Sequence, residues 1–389
     1  MSPCSSPTTL PIAAAAAAAA AAAVLLLLIS PSSASKSSRP FAKIYAFGDS
    51  FTDTGNTASA TGPSGYMFVS NPPYGITFFH HPTNRYSDGR LVIDFVASSL
   101  SLPFLPPYLH LKDGRGAASS GSVNFAVAGS TAIEHGFFVR NNLTLDVTPE
   151  SLGTQLGWFD EFVRRQGCEK GWPETPCKAL FGDALFWIGE IGANDYAYSA
   201  MSPISSSVIQ DLAINRTTRF LQALLNKGAK YVVVQGLPAT GCLPLALALA
   251  PANDRDNMGC VKSVNHRSQS HNAILQAKIR TLRAHFPHAV IVYFDYWNAH
   301  ADVIKNSSKF GFKETFKVCC GSGGGRYNFD ILNVCGSPSS RSCHDPSRYV
   351  NWDGVHLTEA MYKAMAEAFI NGTHSRPPFR YLLTKRNRH

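Results

Sequence analysis

The sequence predicts an α/β chain folded in three layers, α/β/α, with helices on both faces of a five-stranded, mainly parallel sheet. Two observations carry this: short β-branched and aromatic runs recur along the chain, and segments with apolar residues at helical spacing stand between them. Composition is the third. With 45% hydrophobic and 16% charged residues, the 389-residue chain has the material for one large core, which excludes fibrous, collagen-like and disordered classes.

The candidate strands are residues 43–47, 123–126, 185–188, 231–235 and 290–294, and the candidate helices are 91–99, 206–226 and 268–286. In the last of these, Ile274, Leu275, Ile279, Leu282 and Phe286 form a stripe of the kind that ordinarily packs into a core. A final helix starts after Thr358, a natural N-cap, and stops at Asn371-Gly372. Residues 319–348, dense in Gly, Ser and Cys, read as a stapled loop beside whatever site the C-terminal part carries. No internal repeat and no linker divides the chain, so residues 40–375 are expected as one domain, followed by a basic tail at 376–389.

Residues 1–34 read as a targeting segment. The first charged side chain is Lys36, an unbroken apolar run covers residues 12–29, and the small-residue stretch Ser32-Ser33-Ala34 suits cleavage near Ala34 or Ser35. The run borders on membrane-spanning length and no Lys or Arg precedes it, so a signal peptide and a retained signal anchor are both open. Either places the chain in the secretory pathway, extracellular or wall-bound if cleaved and in the Golgi lumen if anchored.

The cysteines agree with an oxidising compartment. Of nine, Cys4 leaves with the leader, and the even remainder suits disulfides. Short loops favour Cys168 with Cys177 and Cys242 with Cys260, leaving Cys319, Cys320, Cys335 and Cys343 to bridge among themselves. A zinc site built from the last four and His344 lacks any Cys-x-x-Cys pair. Asn-x-Ser/Thr sequons at Asn142, Asn215, Asn306 and Asn371 are candidate glycosylation sites in the same compartment.

The 35 Lys and Arg outweigh the 26 Asp and Glu by nine charges, yet they are scattered, so no nucleic-acid stripe exists. The charge bears on solubility and on attraction to anionic surroundings such as acidic polysaccharide.

Chemistry concentrates at strand ends. Gly48-Asp49-Ser50 follows the first strand at once, which puts Ser50 on a tight turn where open α/β sheets bind ligands. Near the other end, Asp353-Gly-Val-His356 sets a carboxylate three residues before an imidazole. A serine hydroxyl is a poor nucleophile until a base takes its proton, and a carboxylate fixes the tautomer of that base. Ser50, His356 and Asp353 fill these roles, with His344-Asp345 a weaker competitor for the last two. Acyl transfer also needs donors for a developing oxyanion. Gly129, just past the second strand, and Asn194, just past the third, offer them, though each is also what an ordinary turn places there.

These residues sit in a recognisable order. Residues 47–56 (FGDSFTDTGN), 124–129 (NFAVAG), 192–195 (GAND) and 353–356 (DGVH) resemble the four blocks of the GDSL esterase/lipase family within the SGNH hydrolases. The stretches 73–79, 85–90 and 236–242 and the Cys319-Cys320-Gly321 triplet are similar to its plant members. Asn84, where a glycine is commoner, and Ala193, inside the third block, depart from the pattern without touching a catalytic position. The resemblance implies an SGNH-hydrolase fold and a carboxylic-ester hydrolase with Ser50 as nucleophile, His356 as base and Asp353 as orienting acid. It implies the Ser50 and Gly129 N–H groups and the Asn194 side chain as oxyanion donors. It calls for no cofactor or metal. The partner expected is an acylated substrate, first among them acetylated wall polysaccharide such as xylan, then lipid or specialised-metabolite esters. No nucleic-acid partner is expected, and a membrane only if the leader is an anchor. Of different class are an acyltransferase and a non-catalytic binding protein. Tyr66, Tyr74, Phe78 and Tyr196 are the aromatics that a sugar ring would stack on, and each is equally a packing residue.

Overall fold

Five strands whose side chains are apolar in both directions need cover on both faces, and the chain supplies it. The computed structural model describes residues 40–60, 68–115, 121–143, 145, 147–168 and 180–386. The strands are β1 (Lys43–Phe47), β2 (Val123–Asn124), β3 (Ala184–Ile188), β4 (Tyr231–Gln235), β5 (Val290–Phe294), β6 (Glu314–Val318), β7 (Cys320–Gly321), β8 (Arg341–Ser342), β9 (Tyr349–Asn351) and β10 (Ser375–Arg376). The main sheet runs β10-β5-β4-β3-β1-β2, with all pairings parallel except β10 against β5.

Alternate strand residues feed two cores. Ile44, Ala46, Leu185, Trp187, Val233 and Phe294 pack with helices Val92–Ser99, Tyr296–Lys305 and Glu359–Ile370 on one face. Tyr45, Phe47, Phe186, Ile188, Val232 and Tyr293 pack with helices Leu152–Arg165, Ser206–Asn226 and Lys262–His285 on the other. This is the three-layer α/β/α arrangement. The strand order reverses about β1, so the crevice between the carboxyl ends of β1 and β3 is the switch point where such sheets bind ligands.

The five expected parallel strands are present, and β10 adds a sixth, antiparallel, of only two residues, too short to show a periodicity. The segment read as a tail is also folded: helix Phe379–Arg386 buries Phe379 and Leu382, with the Phe379 ring 4.8 Å from Phe369. Its basic residues mask two apolar ones that face the core. Residues 1–34, with the leader, lie outside the described residues.

Helix Lys262–His285 starts six residues before the position its apolar stripe marks. Its first buried positions are polar because they hold a loop: Asn272 accepts from Leu237 N–H at 2.8 Å and Asn265 from Gly241 N–H at 3.0 Å. Thr358 caps the Glu359–Ile370 helix, accepting from Met361 N–H at 3.2 Å.

Disulfides join Cys242 to Cys260, Cys319 to Cys343 and Cys320 to Cys335, which uses all four sulfurs of the stapled loop. Cys168 is disulfide-bonded, and Cys177 lies outside the described residues. Cys319, Cys320 and Cys335 form a small core with Tyr74, Tyr86 and Trp352 next to the Asp353–His356 turn. Because a native bridge contributes about 2–4 kcal/mol, reduction is expected to lower Tm by at least about 5 °C in calorimetry. An unchanged Tm under full reduction contradicts this.

Candidate active site

The turn after β1 and the loops after β2 and β3 are held together before any catalytic group is considered. The buried Gln155 side chain accepts from Gly48 N–H at 3.0 Å and donates to Gly48 O at 2.7 Å and Ser130 Oγ at 2.9 Å. Asp53, buried, accepts from Gly55, Asn56 and Thr57 N–H and, across the crevice, from Ala128 N–H at 3.0 Å. Asp195 accepts from Ala132 and Ile133 N–H, each at 2.9 Å. Burial pushes its carboxyl up to about 7, against the pull of these bonds.

On this frame Ser50 Oγ lies 2.7 Å from His356 Nε2, although the two residues are 306 positions apart. The other ring nitrogen, Nδ1, is 2.9 Å from Asp353 Oδ2 and 3.1 Å from Oδ1. Asp353 Oδ1 also accepts from His356 N–H at 2.7 Å and Val355 N–H at 2.8 Å, which folds the Asp-x-x-His turn around its own carboxylate. Tyr74 donates its hydroxyl to Asp353 Oδ2 at 2.8 Å. Burial acts to raise the Asp353 carboxyl, but the His356 imidazole and these hydrogen bonds outweigh it and hold the group below the ordinary carboxylate range. Asp353 therefore stays ionised and keeps Nδ1 protonated, leaving Nε2 to accept from Ser50.

Tyr86 and Phe51 pack on the imidazole with ring centroids 4.5 and 5.5 Å away. Ser50 is only 7% exposed and His356 1%, so the proton path runs through a nearly dry site.

Among the described residues, neither the Ser50 nor the Gly129 backbone N–H has an acceptor within the protein, as expected of groups kept for an oxyanion. Gly129 has φ +79°, and a Cβ there would stand 2.5 Å from Val147 Cγ2, so only glycine fits. Its carbonyl is fixed by the Tyr198 hydroxyl at 2.9 Å. The Asn194 amide nitrogen reaches Asp49 Oδ2 at 3.1 Å and Ser130 O at 2.9 Å.

All five residues singled out from the sequence thus fall at or beside the β1/β3 switch point. His344 and Asp345 are exposed, and Asp345 is taken up by Ser347, so that competitor for the base is not assembled. Of the aromatics considered for stacking, Tyr74 and Tyr196 are buried and engaged, the latter with His271 Nδ1 at 2.9 Å. Phe78 is exposed, and Tyr66 lies outside the described residues. The sequence marked Tyr74 only as a stacking aromatic and Asp53 only as a member of the first block, and Gln155 lies in none of the marked stretches.

A Ser–His–Asp chain of hydrogen bonds at the carboxyl ends of a parallel α/β/α sheet is the arrangement of a serine hydrolase. The GDSL-like lipase/acylhydrolase family model matches residues 44–369, and the chain belongs to that family. It is a carboxylic ester hydrolase. A GDSL esterase/lipase of Arabidopsis thaliana is 57% identical over 351 residues, 90% of this chain and 90% of that one. Acetylajmalan esterase 2 of Rauvolfia serpentina is 38% identical over 341 residues, 85% of this chain and 90% of that one. Among solved structures, a catalytic mutant of an acetylxylan esterase from Geobacillus stearothermophilus covers 85% of this chain and 92% of its own at TM-score 0.38 and 12% identity.

Proposed function

We propose that the protein releases short acyl groups, acetyl foremost, from a sugar-containing ester such as acetylated cell-wall xylan, through an acyl-enzyme on Ser50. The observation that carries the chemistry is the unbroken path from Ser50 Oγ through His356 to Asp353. His356 Nε2 takes the Ser50 proton as Oγ attacks the ester carbonyl. The Ser50 and Gly129 N–H groups receive the oxyanion together with the Asn194 amide, which exchanges its bond to Ser130 O for it, and His356 returns the proton to the leaving alcohol. Water then attacks the acyl carbonyl as Nε2 takes its proton, the bond to Ser50 Oγ breaks, and His356 returns that proton to Oγ as the acid departs.

The short-acyl preference is supported by the Rauvolfia relative, named an acetylajmalan esterase. Of the four aromatics named from the sequence, Phe78 is exposed, with the Arg90 guanidinium 3.9 Å from the centre of its ring, and it is the one proposed to stack on a sugar. A small-molecule acetate is the second reading, favoured by the name of the Rauvolfia relative.

The disulfides support passage through an oxidising compartment. Asn142, Asn215 and Asn371 are exposed and Asn306 half-buried, so glycans on them are proposed with it. Among the described residues no helix is long and apolar enough to cross a membrane.

The test is kcat/KM along esters from acetate to palmitate, followed by acetate release from acetylated xylan. The maximum is expected at acetate, with acetate released from the polymer. An optimum at eight carbons or longer overturns the short-acyl reading. Acetate specificity without release from xylan moves the assignment to a small-molecule ester.

A further inference from the structure

Glu190 is fully buried beside the nucleophile turn and takes no part in the mechanism above. The parallel register that pairs Phe47 with Ile188 continues past the strand ends. It sets Gly48 against Gly189, where a Cβ on Gly48 would be 3.2 Å from the Gly189 Cα. One step further it sets Asp49 against Glu190, and the two carboxyls lie within hydrogen-bond reach of each other. Counted as carboxylates, both Glu190 oxygens are buried with no donor among the described residues. A proton between the acids reconciles the two facts, because two buried carboxylates in contact repel and neither can supply a donor. Burial raises both groups, and the Asp49 charge adds to it at Glu190, which stands well above its ordinary range.

Both Asp49 oxygens also serve the catalytic loops. Asp49 accepts from Phe51 N–H at 3.1 Å through Oδ1 and from the Asn194 amide at 3.1 Å through Oδ2. Asp49 is thus fixed between the turn that carries Ser50 and the oxyanion amide, and Glu190 is the group that holds it from behind.

We propose that Glu190 is a neutral carboxylic acid donating its proton to Asp49, and that this acid pair fixes the Asn194 amide beside Ser50. Glu190 is then a positioning residue acting through Asp49 and Asn194. The proposal rests on the esterase reading above.

E190L is expected to lower kcat for 4-nitrophenyl acetate by about 10²-fold with KM little changed, the size of effect seen when an oxyanion donor is lost. E190Q, whose amide also donates, is expected to restore most of that loss. In an N194A background E190L is expected to cost little more, since both changes remove one function. Independent, multiplying effects of E190L and N194A overturn the proposal, as does a fully active E190L or an E190Q as impaired as E190L. Should E190L fail to fold, infrared difference spectra of wild type against E190Q at neutral pH decide the matter. A carboxylic-acid C=O band lost in E190Q supports the acid pair, and its absence overturns it. Wild-type protein inactive on every ester sinks the esterase reading instead, and leaves the infrared band as the test of the pair.

Discussion

Ser50→Ala lowers kcat/KM on a chromogenic acetate by about 10⁶-fold while Tm stays within about 2 °C of wild type. The loss is large because the hydroxyl oxygen is the atom that bonds to the acyl group, and nothing else in the site can stand in for it. The fold is spared because, among the described residues, Ser50 Oγ makes one hydrogen bond, to His356, and the residue belongs to neither hydrophobic core. What remains is binding and oxyanion stabilisation, which alone give a residual rate over water. Wild-type-like turnover in this variant would remove the mechanism altogether.

His356→Ala is expected to cost about 10⁴- to 10⁶-fold in kcat, no less than Asp353→Asn, which is expected to cost about 10⁴-fold. Without the imidazole, no other side chain among the described residues is hydrogen-bonded to Ser50 Oγ to take its proton. In Asp353→Asn the side-chain amide retains an oxygen for the Val355 and His356 N–H groups, so the turn keeps its shape. Its NH₂ group, however, favours the His356 tautomer with the proton on Nε2, where it blocks acceptance from Ser50. Paired kinetics and circular dichroism on both variants check this. A histidine change milder than the acid change would mean that His356 is not the base.

The site was legible in the sequence where it is written in short, ordered blocks. A glycine and a polar residue directly after an apolar run mark a strand end, and Asp353 and His356 sit on one turn. The five parallel strands were legible for a similar reason, since a buried strand is a dense apolar run with sharp ends. What escaped depends on contacts between distant positions. Gln155 clamps a turn 107 residues away and Tyr74 reaches Asp353 across 279, and neither pairing leaves a local trace. Helix Leu152–Arg165 was missed because Gly153 and Gly157 dilute its first turns. Helix Tyr296–Lys305 was missed although Asn298, Asp302 and Lys305 form a narrow exposed polar stripe at helical spacing, because it is short and follows closely on strand β5. The acid pair at Asp49 and Glu190 is legible only once β1 and β3 are known to be neighbours in register.

The central claim, that Ser50 is the acyl-accepting nucleophile, is tested most directly by covalent labelling. Wild-type protein is treated with a reactive phosphonate, digested with trypsin and mapped by mass spectrometry, alongside the Ser50→Ala variant. The account predicts one label per chain, on the peptide covering residues 44–85, with activity lost in proportion to labelling and no label on the variant. A label elsewhere, or full esterase activity in protein labelled stoichiometrically at Ser50, would contradict it.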